Sequence, residues 1–169
     1  MKRFAAILLT MALFSPFLVT DVVRAAGGNP LKIGDPPPRI TLKDLNGAPV
    51  RLPGDYRGKV VILHFWAGGC SSCKEEMPAM ETLYSTYARK GLVILAVNVG
   101  QRKDTVRGLV RGLGISYPVL LDSDKEMAMK YGVVGVPRTY LVDRSGIIRY
   151  RIIGAASVEM LKKQVLSLL

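Results

Sequence analysis

Apolar runs alternate along the chain with segments whose apolar residues recur at helical spacing. The runs at 59–66 and 92–97 are nearly unbroken, which is typical of strands buried on both faces of a parallel sheet. Two later runs flank the turn sequence Asp143-Arg144-Ser145-Gly146 and predict a hairpin. The strand candidates are residues 59–66, 92–97, 118–121, 139–142 and 147–153.

Helix candidates fill the intervals between these runs. The first carries Met77, Met80 and Leu83 on one face, and Pro78 within it predicts a kink. The predicted helices span residues 71–89, 104–113, 126–131 and 157–168. This order of elements predicts an α/β fold in three layers, with a sheet that is parallel in its first half and antiparallel at its end.

The N-terminal segment has the pattern of an export signal. Lys2 and Arg3 precede an apolar run at 4–19, and small residues around Ala25 suit cleavage there. The run is shorter than the roughly 20 apolar residues that span a bilayer. We therefore expect residues 1–25 to be a cleaved signal peptide, with an uncleaved N-terminal anchor as the alternative.

The rest of the chain reads as a linker followed by one domain. Residues 26–38 are too rich in Gly and Pro for regular structure and are interpreted as the linker, and residues 39–169 as the domain. The net charge of +11 suits anionic membrane surfaces or acidic partners and favours membrane proximity. No basic patch with interleaved aromatic residues points to nucleic acid.

The two cysteines of the chain, Cys70 and Cys73, lie where the first buried strand gives way to a helix. A disulfide between them closes a very short loop, so it contributes little to stability. A thiolate is favoured at a helix N-terminus, where Cys70 is expected, whereas Cys73 lies a turn further in and is more shielded. This arrangement predicts dithiol–disulfide exchange that needs no cofactor beyond the cysteine pair.

Two nearby residues are candidates for moving protons. Glu76 shares a helix face with Cys73, so its carboxylate can exchange a proton with that thiol, or it can be an ordinary first-turn glutamate. His64 is the single histidine of the chain and lies in the strand that leads to the cysteines. We interpret it as a core histidine satisfied by a backbone partner, with a proton relay as the alternative.

The chain resembles the TlpA/ResA-like branch of the thioredoxin superfamily over about residues 33–154. The segments that carry the resemblance are IGDPPPRITLKDLNG, RLPGDYRGKVVILHFWAGGCSSCKEEMP, YPVLLD and YGVVGVPRTYLVDRSGIIRYRIIG. The resemblance implies a thioredoxin-like α/β/α fold with a mixed central sheet, an N-terminal extension and a central insertion that carries YPVLLD.

The resemblance also implies roles for individual residues. It makes Cys70 the nucleophile, Cys73 the resolving thiol and Pro137 a cis-proline that faces them. Val136 then offers its backbone to an extended substrate, and Glu76 occupies the position of the active-site glutamate of cytochrome c maturation reductases. Trp66 and His64 complete the supporting set.

Three features of the sequence depart from the family pattern. His64 stands where classical thioredoxins carry a buried Asp and where this branch often has Asn. Gly69 replaces a bulky residue before the first cysteine, and Ser71-Ser72 is an uncommon pair between the cysteines. These departures affect the proton path, the surface offered to a partner and the redox potential.

The expected function is that of an exported thiol–disulfide reductase in the periplasm or at the outer face of the cytoplasmic membrane. Its substrates are proteins with CxxC disulfides, such as apocytochrome c, and its electrons come from a transmembrane thiol reductase. One alternative is a peroxiredoxin-like thiol peroxidase. The other is a copper or zinc carrier that uses both thiolates, although the sequence offers no further set of metal ligands.

Overall fold

The structure, a computed structural model, describes residues 31–169. The predicted signal peptide therefore lies outside the described residues. The strands are β1 Ile40–Asp44, β2 Pro49–Leu52, β3 Val60–Trp66, β4 Leu92–Val99, β5 Val119–Asp122, β6 Arg138–Val142 and β7 Ile148–Ile153. The helices are α1 Ser71–Tyr87, α2 Lys103–Arg111, α3 Glu126–Lys130 and α4 Val158–Leu166. None of the helices in the described part of the chain has the length and apolar character needed to cross a membrane.

The strands form one seven-stranded mixed sheet in the order β2-β1-β5-β4-β3-β6-β7. β3, β4 and β5 are mutually parallel, β6 is antiparallel to β3, and β7 is antiparallel to β6. This confirms the predicted fold class. The hairpin β1–β2 was not predicted. It pairs antiparallel with β5 and forms the edge of the sheet opposite to β7.

The unpredicted hairpin is held by a local turn. The Asp44 carboxylate accepts hydrogen bonds from the backbone N–H groups of Asn46 and Ala48, both at 2.8 Å. Gly47 in this turn has φ of 89°, a conformation that glycine adopts without a Cβ penalty. The two strands alternate buried and exposed residues over only four or five positions, a pattern too short to be distinctive.

β3 is the central strand that delivers the cysteines. All seven of its residues are buried, and successive side chains point to opposite faces of the sheet. Ile62 and Trp66 pack toward α1 and α4, whereas Leu63 and Phe65 pack on the opposite face with α3. His64 shares the face of Ile62 and Trp66 and therefore points toward α1.

α1 buries one stripe of side chains against that face. Cys73, Met77, Met80 and Leu83 recur at helical spacing and are at most 3% exposed. The helix is continuous across Pro78, whose missing N–H leaves the preceding turn one hydrogen bond short. The same stripe that anchors α1 therefore places Cys73 inside the core.

The described part of the predicted linker lies against the sheet. Residues 31–38 form no helix or strand, in agreement with their composition. Gly34 N–H donates to the Ile148 carbonyl and Ile148 N–H donates to the Asp35 carbonyl, at 2.8 and 3.0 Å. These bonds cover the start of β7, so this stretch is packed against the edge strand.

The loop between β3 and α1 requires glycine at one of its two glycine positions. A Cβ on Gly68 would lie 2.5 Å from Leu109 Cδ1 and 3.0 Å from Gln101 Nε2, whereas a Cβ on Gly69 would meet nothing within 4 Å. We expect Gly68→Ala to lower the free energy of unfolding by about 1 kcal/mol, the low end for overpacking, because the closest atom is the end of the flexible Leu109 side chain. Urea denaturation measures the loss. Gly69→Ala is the matched control, and equal losses in the two variants would contradict this account.

Candidate active site

The site lies at the carboxyl end of β3, where loops from neighbouring strands meet. Gly68 N–H donates to Gln101 Oε1 at 2.7 Å, and Asn98 Nδ2 donates to the same oxygen at 2.9 Å. Asn98 belongs to β4 and Gln101 follows it, so one amide side chain ties the loop before the cysteines to the neighbouring parallel strand. Carboxyl ends of parallel strands are the usual place for reaction sites in such sheets.

Cys70 and Cys73 form a disulfide, with Cα atoms 5.3 Å apart. Cys70 is the N-cap residue of α1, and its Sγ accepts a hydrogen bond from Cys73 N–H at 3.2 Å. The Ser72 hydroxyl lies 3.5 Å from the same sulfur. Cys70 is partly exposed and Cys73 is fully buried. Donors therefore surround the sulfur that a partner can reach, and they favour negative charge on it.

This asymmetry predicts unequal thiol reactivity after reduction. We expect iodoacetamide at neutral pH to label Cys70 at least about tenfold faster than Cys73, because Cys70 is accessible and its thiolate is stabilised by nearby donors. Mass spectrometry of peptides from partly labelled protein gives the two rates. Equal rates, or faster labelling of Cys73, would contradict the assignment of Cys70 as the attacking thiol.

Glu76 lies one turn beyond Cys73 and is held in place by a distant segment. Its Oε1 accepts a hydrogen bond from Ala156 N–H, and its side chain is only 9% exposed. Burial raises the pKa of the Glu76 carboxyl above its usual value, and the Ala156 bond offsets part of this effect. A carboxyl with a raised pKa, on the helix face of Cys73, is suited to exchange a proton with that thiol.

His64 is 1% exposed and lies behind Glu76. Its Nδ1 lies 3.0 Å from the Thr139 hydroxyl, so the partner is a side chain and not the expected backbone group. Its Nε2 lies 3.9 Å from Glu76 Oε2. Burial lowers the pKa of His64 to about 4, so the imidazole is neutral at neutral pH. The contact therefore joins a neutral ring to a carboxyl group and is not an ordinary ion pair.

The remaining predicted residues lie beside the cysteines. The Val136–Pro137 peptide bond is cis. Phe65 pairs with Arg138 in the β3–β6 register, which brings residues 136 and 137 to the end of β3 next to the loop that leads to Cys70. Val136 is partly exposed, whereas Pro137 is buried.

Trp66 is fully buried, as His64 is, and packs in the core behind the site. Both side chains are out of reach of a partner protein and can only support the groups in front of them. The structure thus brings all seven predicted site residues to one end of the sheet. Of these residues, Cys70 and Val136 are partly exposed and can contact a partner, and the others lie behind them, mostly buried.

Sequence reasoning missed four groups that hold these residues. They are the Ser72 hydroxyl at Cys70, the Gln101 amide at Gly68, the Ala156 N–H at Glu76 and the Thr139 hydroxyl at His64. Ser72 was visible as an unusual residue between the cysteines. The other three contacts join residues 33 to 80 positions apart, which no local pattern reveals.

Two cavities of the described residues differ in their position relative to the cysteines. A shallow depression of about 370 Å³ includes Ser72, Glu76 and Ala156 in its wall and opens beside the site. A larger pocket of about 590 Å³ lies elsewhere, against residues 36–39 and 142–147, and does not include either cysteine. Among residues 31–169, no group of three or more His, Cys, Asp or Glu side chains is arranged to hold a metal ion.

Known proteins with similar sequences are thiol–disulfide oxidoreductases. The family model described as the AhpC/TSA family matches residues 33–151. The thiol-disulfide oxidoreductase ResA of Geobacillus thermodenitrificans is 38% identical over 136 residues, which cover 80% of this chain and 78% of the relative. ResA of Bacillus subtilis is 34% identical and covers 80% and 75% of the two chains.

Solved structures agree with the sequence comparisons. A putative thiol:disulfide interchange protein DsbE from Chlorobium tepidum superposes with a TM-score of 0.76 at 30% identity, over 81% of this chain and 97% of that one. StoA from Bacillus subtilis gives a TM-score of 0.65 at 27% identity, over 75% and 96% of the two chains.

Proposed function

The chain belongs to the AhpC/TSA family and to the ResA-like thiol-disulfide oxidoreductases, and from this premise we propose that it is an exported reductase of CxxC disulfides in partner proteins, with apocytochrome c as a substrate. The observation that carries the proposal is the asymmetric cysteine pair. A reachable sulfur lies at the start of α1, and a fully buried one lies a turn inside, on the same helix face as the largely buried carboxyl group of Glu76.

The reaction runs through one mixed disulfide. The Cys70 thiolate attacks one sulfur of the partner disulfide, forms a new S–S bond and releases the other partner sulfur as a thiolate. Cys73 then loses its proton to Glu76, and its thiolate attacks Cys70 Sγ. The intramolecular disulfide forms, the partner leaves as a dithiol and the two displaced thiolates take up protons. The partner gains two electrons and the protein loses two.

The electrostatics of the pair support reduction as the favoured direction. An oxidant of this type is strong when its reduced, thiolate form is stabilised. The Glu76 carboxylate acts against this, because a negative charge beside Cys73 disfavours a second negative charge on the dithiol. The reduced protein is thereby less stabilised and gives up its electrons more readily. A transmembrane thiol reductase is the proposed source of the electrons that restore it.

The surface around Cys70 is suited to an extended peptide. A Cβ on Gly69 or Gly135 would meet nothing within 4 Å, so the backbone is open at the residue before Cys70 and at the residue before Val136. Val134 is 95% exposed and Val136 partly so, which gives this surface an apolar character. A CxxC segment of an unfolded chain can approach such a surface without meeting bulky side chains.

Export and membrane proximity belong to the same proposal. They are supported by the signal-like pattern of residues 1–25 and by the net charge of +11, which favours anionic membrane surfaces. An exported location is also where partner disulfides form and need reduction.

The test uses the reduced full-length protein and an oxidised peptide that carries a Cys-x-x-Cys-His segment. We expect this peptide to be reduced at least about tenfold faster than a control peptide of the same composition whose cysteines are far apart, equivalent to about 1.4 kcal/mol of activation free energy. Chromatography of the quenched peptides gives both rates. Preferential consumption of hydrogen peroxide, with slow reduction of both peptides, would overturn the proposal in favour of a peroxidase.

A further inference from the structure

Two buried polar atoms near the cysteines face each other and have no other partner. His64 Nε2 and Glu76 Oε2 are 3.9 Å apart, and neither makes a hydrogen bond. Buried polar atoms are normally hydrogen-bonded, and exceptions call for an explanation. Among the exceptions in the described residues, these two atoms lie on adjacent elements, β3 and α1, and point toward each other.

The other ends of both side chains are fixed. His64 Nδ1 lies 3.0 Å from the Thr139 hydroxyl, and Glu76 Oε1 accepts from Ala156 N–H. Thr139 is opposite His64 in the β3–β6 register and is 1% exposed. The imidazole and the carboxyl are therefore held with their free atoms toward each other, and small side-chain movements bring Nε2 and Oε2 into hydrogen-bond contact.

The Thr139 hydroxyl allows either tautomer of the ring. When it donates to Nδ1, Nε2 carries the proton and favours a carboxylate on Glu76. When Nδ1 carries the proton and donates to the Thr139 oxygen, the bare Nε2 favours a protonated Glu76. A neutral imidazole in this position can thus support both protonation states of the carboxyl.

The titratable groups around the pair are few. α1 contributes the titratable groups Glu76 and Cys73, whereas the residues opposite His64 on the two neighbouring strands, Thr139 on β6 and Ala96 on β4, carry no ionisable group. Tyr117 lies near enough for the Glu76 charge to contribute to its raised pKa, but its hydroxyl donates to a backbone carbonyl. Across the described residues, neither member of the pair has an ion-pair partner other than the other.

We propose that His64 and Glu76 hold one exchangeable proton between Nε2 and Oε2, and that His64 thereby positions the proton that Glu76 takes from and returns to Cys73. This rests on the proposed function, in which Glu76 receives the proton of Cys73. In the resolving step the ring is in the tautomer whose Nδ1–H donates to the Thr139 oxygen, so a bare Nε2 faces Glu76. The Cys73 S–H bond breaks, the proton goes to Glu76 Oε2, where it is shared with Nε2, and the Cys73 electron pair forms the bond to Cys70 Sγ. The S–S bond between Cys70 and the partner breaks, and the partner sulfur leaves as a thiolate with the electron pair of that bond. The proton then passes from the His64–Glu76 pair to the partner thiolate or to water.

A purely structural histidine would account for less of the geometry. It needs a partner for Nδ1, which Thr139 provides, and apolar surroundings for the ring. It gives no reason for a buried carboxyl oxygen to face a buried ring nitrogen. The depression beside the site includes Glu76 and Ala156 in its wall, so solvent reaches the neighbourhood of this carboxyl group.

The first test follows the ring directly. His64 is the one histidine of the chain, so its imidazole ¹⁵N signals are unambiguous in the full-length protein. We expect the signals to change with pH, to differ between the oxidised and reduced protein, and to lose the pH response in Glu76→Gln. Signals that are independent of pH and redox state, and are unaffected by Glu76→Gln, would overturn the proposal even if no His64 variant folds.

The second test measures the resolving step. Reduced protein mixed with one equivalent of an aromatic disulfide reagent releases one aromatic thiol when Cys70 attacks and a second when Cys73 resolves. We expect His64→Asn to shift the pH midpoint of the second phase by about half a unit, about threefold in rate, and to leave the first phase unchanged. In the Glu76→Gln background the same substitution should have no further effect.

Matched substitutions at Thr139 sharpen this test. Thr139→Ser keeps the hydroxyl and should keep the midpoint of the second phase, whereas Thr139→Val removes it and should move the midpoint. Equal shifts from His64→Asn in the wild-type and Glu76→Gln backgrounds would show that the two residues act independently and would overturn the proposal. The proposed function is tested separately with the wild-type protein. It fails if the wild type does not reduce the peptide or does not release the second aromatic thiol.

Discussion

Cys73→Ser is expected to stop turnover and to leave Cys70 in a stable mixed disulfide with the partner. The attacking sulfur, its N-cap position and its hydrogen-bond donors are all retained, so the first step proceeds. The second step lacks its nucleophile, because a serine hydroxyl does not displace a sulfur from a disulfide. We expect multiple-turnover reduction of the Cys-x-x-Cys-His peptide to fall by at least about a hundredfold.

Mass spectrometry under non-reducing conditions identifies the trapped species, with a mass equal to the protein plus one peptide. Cys70→Ser is the matched control, because it removes the reachable sulfur and should trap nothing. Trapping through Cys73 in that control, or undiminished turnover in Cys73→Ser, would show that the roles of the two cysteines have been exchanged.

The sequence predicted the fold well where long patterns exist. The unbroken run at 59–66 predicted β3, because that strand is buried at every position, and the apolar stripe at helical spacing predicted α1, because that helix buries one face. The hairpin β1–β2 escaped because its alternation covers nine residues in two short pieces. Its place beside β5 depends on a long-range pairing that no local pattern carries.

In the candidate site, too, local patterns predicted some features, and contacts between distant residues determined the others. Spacing and position at a strand–helix junction identified Cys70 and Cys73, and the helix face indicated Glu76. The spacing alone left the role of Glu76 open, because the hydrogen bond that holds its carboxyl group comes from Ala156, 80 residues away. It predicted that His64 is buried but not that the ring faces the carboxyl, since burial follows from the strand pattern and orientation follows from tertiary packing.

Glu76→Gln is expected to change the titration of the cysteine pair while keeping the fold. The substitution is nearly isosteric, and the glutamine carbonyl can still accept from Ala156 N–H. Removing a negative charge that opposes thiolate formation should move the pH midpoint of thiolate formation downward. The two thiols and the carboxyl titrate as a coupled system, so the comparison is between whole pH profiles. Absorbance of the thiolates of the reduced protein against pH measures it.

The pH dependence of the free energy of unfolding of the same variant tests whether burial raises the pKa of Glu76. A carboxyl whose pKa is raised by folding contributes stability below its unfolded value of 4.5, and this contribution is lost as the pH rises through the folded value. The wild-type protein therefore bears a cost at neutral pH that Glu76→Gln does not. We expect the oxidised variant to be at least as stable as the wild type at pH 7, with the difference reduced at pH 4.

Glu75→Gln is the control for both measurements, because Glu75 is the exposed neighbour on the same helix and loses the same formal charge. Its effect on the thiol titration should be small, since water screens an exposed carboxylate. Equal shifts in the two variants would mean that net charge, and not the buried carboxyl, controls the thiols. An unchanged titration in Glu76→Gln would mean that the proton of Cys73 goes to another group.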